Sequence, residues 1–230
     1  VYRDRDQALT LRVNNYYGLG ATSKEAVLLQ RRLGHIAMAL HPDPESALLI
    51  GFATGCTFSA MAAHDPRRLD CVELHPTVVD LAPMFADVNG RVWERDGVNI
   101  LTGDGRRYLE RAGPSYDVIV GDLYLPINAG VGALFSREHF ASAQRRLNDG
   151  GVFVAWLPLF QMGPEQVAIV ARTFLEVFPD GEAWMGNWAK VKPVLGLVGY
   201  KPGGDGTRPT AADIERVVLT HGVQEPGLDK

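Results

Sequence analysis

The sequence predicts an α/β protein built on a doubly wound, mostly parallel sheet. Between residues 41 and 202, short apolar runs of strand length alternate with longer segments whose apolar residues recur at helical spacing. Such alternation is typical of a parallel sheet with helices on both faces. The last two strand-like segments, about 182–188 and 194–200, have no helical segment between them, which indicates a hairpin at one edge of the sheet.

The predicted elements follow one another in a simple order. Residues 1–40 are expected to form a small N-terminal β-hairpin and a helix that begins at Lys24 and ends near Leu40. Residues 41–202 form the sheet domain, and residues 203–230 form a linker and a C-terminal helix. The predicted strands of the sheet domain are 47–50, 69–73, 98–101, 116–120, 151–156, 182–188 and 194–200. Its predicted helices are 56–64, 76–88, 106–111, 136–147 and 164–178.

Composition excludes several classes of protein. The 230 residues carry a formal net charge of −4, which gives no reason to expect nucleic acid as a partner. The two cysteines, Cys56 and Cys71, lack the spacing of metal ligands and are expected to be reduced thiols in the core, so no metal is predicted. No apolar run is long enough to span a membrane, and no signal peptide is visible.

A glycine turn follows the first predicted strand of the sheet domain. Residues 46–57 read S-A-L-L-I-G-F-A-T-G-C-T, a pattern that predicts a strand, a turn and a helix. A dinucleotide fingerprint would place small residues at Gly51, Ala53 and Cys56, and the cysteine fits poorly, which argues against a dehydrogenase. The spacing G-x-x-x-G better suits an uncharged nucleoside such as that of S-adenosylmethionine. Gly51, Thr54 and Gly55 are therefore candidate cofactor-binding residues. By analogy with other folds, the hairpin at the sheet edge indicates the Rossmann-like type of S-adenosylmethionine-dependent transferases.

Acidic residues follow three more predicted strands at the edge of the sheet where this turn lies. Glu73 comes 22 residues after Gly51, a suitable interval for a carboxylate that accepts hydrogen bonds from two ribose hydroxyls. Asp104, followed by Gly105, is a candidate acceptor for an adenine amino group, and Asp122 is expected to face the reacting centre. Because the carboxyl ends of parallel strands meet at one edge, these side chains are expected to surround a single adenosyl ligand.

Four stretches of the chain resemble the spermidine synthases, or polyamine aminopropyltransferases. They read H-P-D-P-E-S-A-L-L-I-G, V-E-L-H-P, G-D-G-R-R-Y-L and Y-D-V-I-V-G-D, and the similarity runs from about Asn14 to Tyr200. The chain looks most like the spermidine-synthase-like domains that are often fused to membrane segments. The resemblance implies a small N-terminal β-domain, decarboxylated S-adenosylmethionine as co-substrate and a di- or polyamine as acceptor. It also implies that Glu73 binds ribose, Asp104 binds adenine and Asp122 is the catalytic aspartate.

A carboxylate suits the chemistry of such a transfer. An alkylamine has a pKa of roughly 10.4 and arrives protonated, so a carboxylate such as Asp122 is needed to hold the amine and take its proton. Tyr124 is expected to contribute an aromatic wall that binds the substrate amine. His139 and Gln161 lie near the ends of later elements and could approach the site, but no role is predicted for either.

Several positions depart from the family pattern. The family usually has an aspartate for the aminopropyl amine where this chain has Thr54, and a second acid where it has Leu125. It usually has a substrate-binding glutamine where this chain has Gly20, and a tyrosine–histidine pair where it has Leu29 and Gln30. Two alternative functions therefore stay open beside aminopropyl transfer. One is an S-adenosylmethionine-dependent methyltransferase, and the other is a catalytically silent nucleoside-binding domain.

The expected setting of the protein completes these predictions. The partner is expected to be a small-molecule amine. The chain starts at Val1 on a charged segment, so a soluble domain cut from a longer, membrane-linked protein is expected. A cytoplasmic location and a homodimer are the expected compartment and assembly.

Overall fold

The computed structural model describes residues 1–5, 7–12, 20–122, 130–186, 192–204 and 207–222. The predicted substrate-binding residue Tyr124 lies outside the described residues. No helix among these residues combines the length and apolar character needed to cross a membrane.

A seven-stranded sheet forms the centre of the molecule. Its strands are β4 (Ser46–Ile50), β5 (Arg68–Glu73), β6 (Val98–Thr102), β7 (Tyr116–Gly121), β8 (Leu147–Pro158), β9 (Glu182–Gly186) and β10 (Val194–Tyr200). The strand order is β6-β5-β4-β7-β8-β10-β9. The first five strands in this order are parallel, whereas β10 is antiparallel to both β8 and β9. The doubly wound sheet and the antiparallel pair at its edge are thus confirmed.

A separate three-stranded antiparallel sheet precedes the central one. It consists of β1 (Tyr2–Arg3), β2 (Leu9–Leu11) and β3 (Gly20–Ala21), with β2 in the middle. The register pairs Thr10 with Ala21 and Leu11 with Gly20. Because side chains alternate along a strand, Thr10 and Arg12 lie on the face opposite to the buried Leu11. The predicted small N-terminal β segment is therefore present.

Helices cover both faces of the central sheet. They are α1 (Lys24–Ala39), α2 (Cys56–Ala62), α3 (Pro76–Asp80), α4 (Ala86–Asn89), α5 (Gly105–Glu110), α6 (Arg137–Arg146), α7 (Pro164–Leu175) and α8 (Ala211–Gly222). A single helix over 76–88 was wrong, since α3 ends at Asp80 and a 3-10 turn over Ala82–Phe85 precedes α4. Pro83 explains the break because it lacks an N–H and disfavours helical geometry at the preceding residue.

Two apolar clusters, one on each face of the sheet, make up the core. Ala47 and Leu49 of β4 belong to the cluster that contains residues of α1, α2 and α8, whereas Leu48 and Ile50 belong to the cluster beneath α5, α6 and α7. This alternation is what a strand buried on both faces requires. Cys56 and Cys71 are buried free thiols, as expected, and burial raises the pKa of Cys71.

The fifth parallel strand is longer than predicted. β8 continues to Pro158, two residues past its expected end, because β10 pairs with it along its whole outer part, with Val194 opposite Pro158. A 3-10 turn over Leu159–Gln161 follows directly. This extension carries the chain beyond the edge of the sheet at which the other parallel strands stop, and it forms one wall of the site.

Candidate active site

The turn between β4 and α2 depends on glycine. Gly51 and Gly55 have positive φ angles of 96° and 80°, a region that favours residues without a Cβ. A Cβ on Gly55 would lie 2.7 Å from the ring of Phe52. The amide of Gly51 donates to the carbonyl of Val72 on β5, which ties the turn to the next strand. The backbone geometry of this turn therefore favours glycine at both predicted positions.

The Glu73 carboxylate stabilises the same turn by accepting hydrogen bonds from its backbone. Its Oε2 accepts hydrogen bonds from the amides of Phe52 at 2.9 Å and Ala53 at 3.5 Å, and its Oε1 accepts from the amide of His75 at 2.9 Å. The side chain is 5% exposed and lines the cavity described below. The carboxylate thus fixes the turn in the structure without a ligand, and its predicted role toward ribose remains a prediction.

Asp104 forms hydrogen bonds with the first turn of α5, the helix that it caps. As the N-cap of α5 it accepts a hydrogen bond from the amide of Arg106 at 2.9 Å, and it forms an ion pair with the Arg106 guanidinium at 2.8 Å. These hydrogen bonds hold the pKa of Asp104 below its usual value. Gly105 allows the start of α5 to approach β4, since a Cβ there would lie 2.5 Å from Ile50 Cγ2. Sequence reasoning missed Arg106, although an Asp-x-Arg at a helix start is a visible signal.

Asp122 follows β7 directly, at the edge of the sheet where Gly51 and Glu73 also lie. Its amide donates to the carbonyl of Ile50, the last residue of the neighbouring strand β4, at 3.4 Å. Asp122 lines the same cavity as Gly51, Glu73 and Asp104. The structure therefore brings the three predicted carboxylates together around one space.

Thr54 has a different environment from the other predicted site residues. Its side chain is fully buried, and its hydroxyl donates a 2.6 Å hydrogen bond to Gln30 Oε1. Gln30 Nε2 in turn donates to the carbonyls of Ala21 and Ala26. A Cβ on Gly20 would meet Thr54 Cγ2 at 2.7 Å and Gln30 Oε1 at 2.8 Å, so β3 packs directly on this pair. We call Gly20, Gln30 and Thr54 the neutral corner of the site.

Most of these residues line a cavity of about 560 Å³, namely Gly20, Gln30, Gly51, Glu73, Asp104, Gly105 and Asp122. The predicted Gly55 and the buried Thr54 are not among the residues that line it. Its walls come from three parts of the chain: the ends of the parallel strands, the N-terminal sheet with the start of α1, and the extension of β8. Besides the three carboxylates already described, the charged side chains on its walls are Asp4, Arg12, Glu25, Arg106 and Lys192. The cavity therefore mixes acidic and basic groups.

Several residues of these walls escaped sequence reasoning. Period-two alternation in the first strand places Thr10 and Arg12 on one face, but nothing in the pattern indicates that this face meets the cavity. Lys192 lies between two late strands without any recognisable motif. Gln161, for which the sequence predicts no role, lines the cavity at the end of the β8 extension.

His139 does not line the cavity. It lies on α6, is 3% exposed, and neither of its ring nitrogens has a hydrogen-bond partner among the described residues. Burial, and to a smaller extent the nearby Arg106 guanidinium, lower its pKa to about 4. In the described part of the chain no group of three His, Cys, Asp or Glu side chains is arranged to hold a metal ion.

The fold and the cavity define the class of protein. A sheet of this order, with a glycine turn after its central strand and carboxylates at the neighbouring strand ends, is the Rossmann-like architecture of S-adenosylmethionine-dependent transferases. Residues 27–182 match the family model described as the spermine/spermidine synthase domain. The chain belongs to this family.

Curated relatives are similar over most of this chain. Polyamine aminopropyltransferase 1 of Bacillus cereus is 24% identical over 167 residues, which are 72% of this chain and 60% of the relative. The polyamine aminopropyltransferase of Pyrobaculum calidifontis is 30% identical over 180 residues, which are 74% of this chain and 62% of the relative. The chain thus spans about three fifths of the length of these relatives.

Solved structures share the fold. A crystal structure of spermidine synthase in complex with the transition state analogue AdoDATO superposes with a TM-score of 0.69 at 22% identity, covering 80% of this chain and 64% of that one. Human methyltransferase-like protein 13 in complex with SAH superposes with a TM-score of 0.61 at 17% identity, covering 90% and 92%. The Rossmann-like transferase fold predicted from the sequence is confirmed.

Proposed function

We propose that this chain transfers an aminopropyl group from decarboxylated S-adenosylmethionine to an amine. The observation that carries the proposal is the convergence of Glu73, Asp104 and Asp122 on one cavity beside the glycine turn. Membership of the spermine/spermidine synthase family supports it, as do relatives named polyamine aminopropyltransferase. The same membership favours aminopropyl transfer over methyl transfer.

The donor nucleoside occupies the half of the cavity formed by β4, β5 and β6 in this proposal. Glu73 accepts hydrogen bonds from the ribose hydroxyls with the lone pairs that the turn amides leave free, since each carboxylate oxygen accepts more than one hydrogen bond. The backbone of Gly51 and Gly55 approaches the nucleoside closely. Asp104 and Gly105 lie at the adenine, and the Arg106 that binds Asp104 limits how many of its lone pairs reach the base.

Asp122 is the catalytic carboxylate in this proposal. The acceptor amine enters as an ammonium and gives one proton to Asp122, which leaves a nitrogen lone pair aimed at the aminopropyl carbon. A C–N bond forms as the C–S bond breaks, and the bonding pair returns to sulfur, which loses its positive charge. The products are the alkylated amine and methylthioadenosine. Tyr124 is proposed to border the acceptor.

The neutral corner distinguishes this chain from the family pattern. The Thr54 hydroxyl donates to Gln30 Oε1, the Gln30 amide nitrogen donates to two backbone carbonyls, and no carboxylate belongs to the corner. The ammonium of the aminopropyl tail is therefore proposed to bind without a carboxylate partner at position 54. This lowers the expected preference for the decarboxylated donor over S-adenosylmethionine itself.

A transfer assay tests the proposal. Decarboxylated S-adenosylmethionine is incubated with the protein and a panel of mono-, di- and polyamines, and products are measured by mass spectrometry. We expect an aminopropylated amine and stoichiometric methylthioadenosine, with turnover about 10²- to 10⁴-fold lower in Asp122→Asn because the proton acceptor is lost. A methylated product formed from S-adenosylmethionine would contradict aminopropyl transfer. Absence of any product with bound donor would favour a silent nucleoside-binding domain.

The division of the chain and its setting are further proposals. Residues 1–40, 41–202 and 203–230 are proposed as the N-terminal segment, the transferase domain, and the linker with the terminal helix. A homodimer is proposed as the assembly, and light scattering measures it. The cytoplasm, as a free domain or as part of a membrane-linked protein, is the proposed location.

A further inference from the structure

Asn89 binds the glycine turn without being among the residues that line the cavity. It is the last residue of α4, and its side chain is fully buried. Its Nδ2 donates 3.0 Å hydrogen bonds to two carbonyls, that of Thr54 in the turn and that of Ala82. Its Oδ1 accepts a hydrogen bond from the amide of Arg91 at 3.1 Å. Both N–H groups of this amide and its oxygen are thus used.

These hydrogen bonds fix the direction in which the Asn89 amide points. With the amide turned over, its oxygen would face two carbonyl oxygens and its nitrogen would face the N–H of Arg91, so all three contacts would become repulsive. Glycine allows the close approach of the two segments, since a Cβ on Gly55 would lie 3.0 Å from Asn89 Cβ. Asn89 therefore serves the turn as a specific hydrogen-bond donor as well as by packing.

The turn has a backbone conformation that is unfavourable for one of its residues. Ala53 has a φ of 50°, in the left-handed region where the Cβ of an L-residue lies too close to the backbone. Gly51 and Gly55 also have positive φ but carry no Cβ. Such a conformation persists only where surrounding contacts hold it. Because Gly51 and Ala53 line the cavity, the conformation of the turn shapes the surface that a ligand meets.

Side chains from three elements hold the turn. Glu73 accepts hydrogen bonds from its first amides, and Gln30 accepts one from the Thr54 hydroxyl. Asn89 binds the carbonyl of Thr54. The N–H of the same peptide, that of Gly55, donates to a carbonyl within the turn at 2.8 Å. The peptide between Thr54 and Gly55 is thus fixed at both of its polar groups.

Without the N–H groups of Asn89, the buried Thr54 carbonyl would lose this donor. A buried carbonyl that lacks a partner is unfavourable, so we expect its peptide to rotate toward another donor. Rotation of this peptide changes ψ of Thr54 and φ of Gly55, and it releases the contact that helps to keep Ala53 in the left-handed region. The turn would then present a different surface to the cavity.

We propose that Asn89 is a positioning residue for the donor. By donating to the Thr54 carbonyl, it holds the glycine turn in the strained conformation that binds the adenosyl ligand. The inference deepens the proposed function and rests on it for the identity of the ligand, decarboxylated S-adenosylmethionine. The effect of Asn89 passes to the ligand through the backbone of residues 53–55.

Two variants remove the N–H donors in different ways. Asn89→Asp preserves the size of the side chain and the oxygen that accepts from Arg91, whereas Asn89→Ala introduces no charge. Titration calorimetry measures binding of methylthioadenosine at a temperature at which circular dichroism shows each variant to be folded. We expect the dissociation constant to rise about tenfold or more in both variants, because the turn occupies its binding conformation in a smaller fraction of molecules.

Gln144→Glu is the matched control. Gln144 Nε2 donates a 2.7 Å hydrogen bond to the carbonyl of Val177, so this substitution also removes an amide donor from a backbone carbonyl. Gln144 lies on α6 and is not among the residues that line the cavity. We expect a lower melting temperature and a dissociation constant for methylthioadenosine within about twofold of the wild-type value.

Steady-state kinetics separate positioning of the donor from catalysis. The acceptor is the amine that reacts fastest in the transfer assay. We expect KM for decarboxylated S-adenosylmethionine to rise about tenfold or more in Asn89→Asp. The value of kcat at saturating donor and the KM for the amine should stay within about threefold of wild type, because Asp122 lies outside the turn.

The outcomes distinguish this inference from the proposed function. Dissociation constants within about twofold of wild type in both Asn89 variants would show that Asn89 contributes to stability alone, as Gln144 does. A fall in kcat with unchanged donor KM would likewise overturn the inference, while Asp122-dependent transfer stands. Absence of methylthioadenosine binding to the wild-type protein would overturn the proposed function and this inference with it.

Discussion

Two halves of the cavity differ in how their polar groups are satisfied. In the half formed by residues 20–105, Glu73, Asp104 and Thr54 all have hydrogen-bond partners within the protein. In the half that follows β7, Gln161 Oε1 has none among the described residues. Since unpaired buried polar groups are rare in proteins, the contrast is informative. We infer that the half proposed to bind the donor, called the donor half, is assembled within the protein, whereas in the half proposed to bind the acceptor, called the acceptor half, Gln161 Oε1 lacks a partner among the described residues.

The largest expected effect comes from breaking the donor half. In Glu73→Gln the amide offers one oxygen where two carboxylate oxygens accept backbone N–H groups, so the turn amides and His75 compete for it. We expect affinity for methylthioadenosine to fall about tenfold or more and stability to fall by about 1–3 kcal/mol. Titration calorimetry and thermal unfolding measure the two effects. Unchanged affinity would mean that Glu73 supports the turn without contributing to the ligand site.

The neutral corner allows a packing test. Gly20→Ala forces a methyl group to within 2.7 Å of Thr54 and 2.8 Å of Gln30, and overpacking of this kind costs about 1–3 kcal/mol. We expect that loss in chemical denaturation. Gly132→Ala is the control, because a Cβ there meets no atom within 4 Å. Equal stabilities of the two variants would contradict the close packing of β3 on Thr54.

The smallest expected effect at pH 7 concerns the unpaired His139, whose titration also makes the stability of the protein depend on pH. Burial holds its pKa at about 4 in the folded protein, against an ordinary value of 6.5. The unfolded chain therefore binds more protons between these values, and stability falls by up to about 1.4 kcal/mol per unit as pH drops from 6.5 toward 4. His64, with a pKa lowered to about 3 chiefly by burial, adds a slope of the same sign.

His139→Leu separates the two contributions. The leucine removes two unpaired nitrogens from a site beside Phe140 and Phe153, so we expect stability at pH 7 to rise by about 1 kcal/mol. The loss of stability per pH unit below pH 6.5 should decrease by the part that His139 contributes. The part that His64 contributes should remain. Denaturation series at pH 7, 6 and 5 measure both quantities. A variant with an unchanged slope would show that His139 does not titrate as its burial requires.

Much of the donor half was predictable from sequence because topology places it. Strand ends of a parallel sheet meet at one edge, so a glycine turn and acids at 73, 104 and 122 converge once the strands are recognised. The fold class and the edge pair of strands followed from the same alternation. The break of the predicted helix at Pro83 was also visible in the sequence, and proline chemistry should have decided it.

The acceptor half was not predictable for a physical reason. Its wall combines the end of β8 with Lys192, which are separated in sequence and carry no motif. Thr54 looked like a residue facing the ligand, yet it is fully buried against Gln30, a contact between residues 24 positions apart. An unpaired atom such as Gln161 Oε1 can be recognised only from a three-dimensional structure, because its hydrogen-bond partners depend on the positions of neighbouring residues.

The central claim is that the donor half is preassembled and independent of Asp122, the proposed catalytic carboxylate. Titration calorimetry of methylthioadenosine into the wild-type protein and into Asp122→Asn tests it most directly. The account predicts saturable binding to both, with dissociation constants within about twofold of each other, because Asp122 is proposed to act on the amine rather than on the nucleoside. Absence of binding to the wild-type protein, or its loss in Asp122→Asn, would contradict the account.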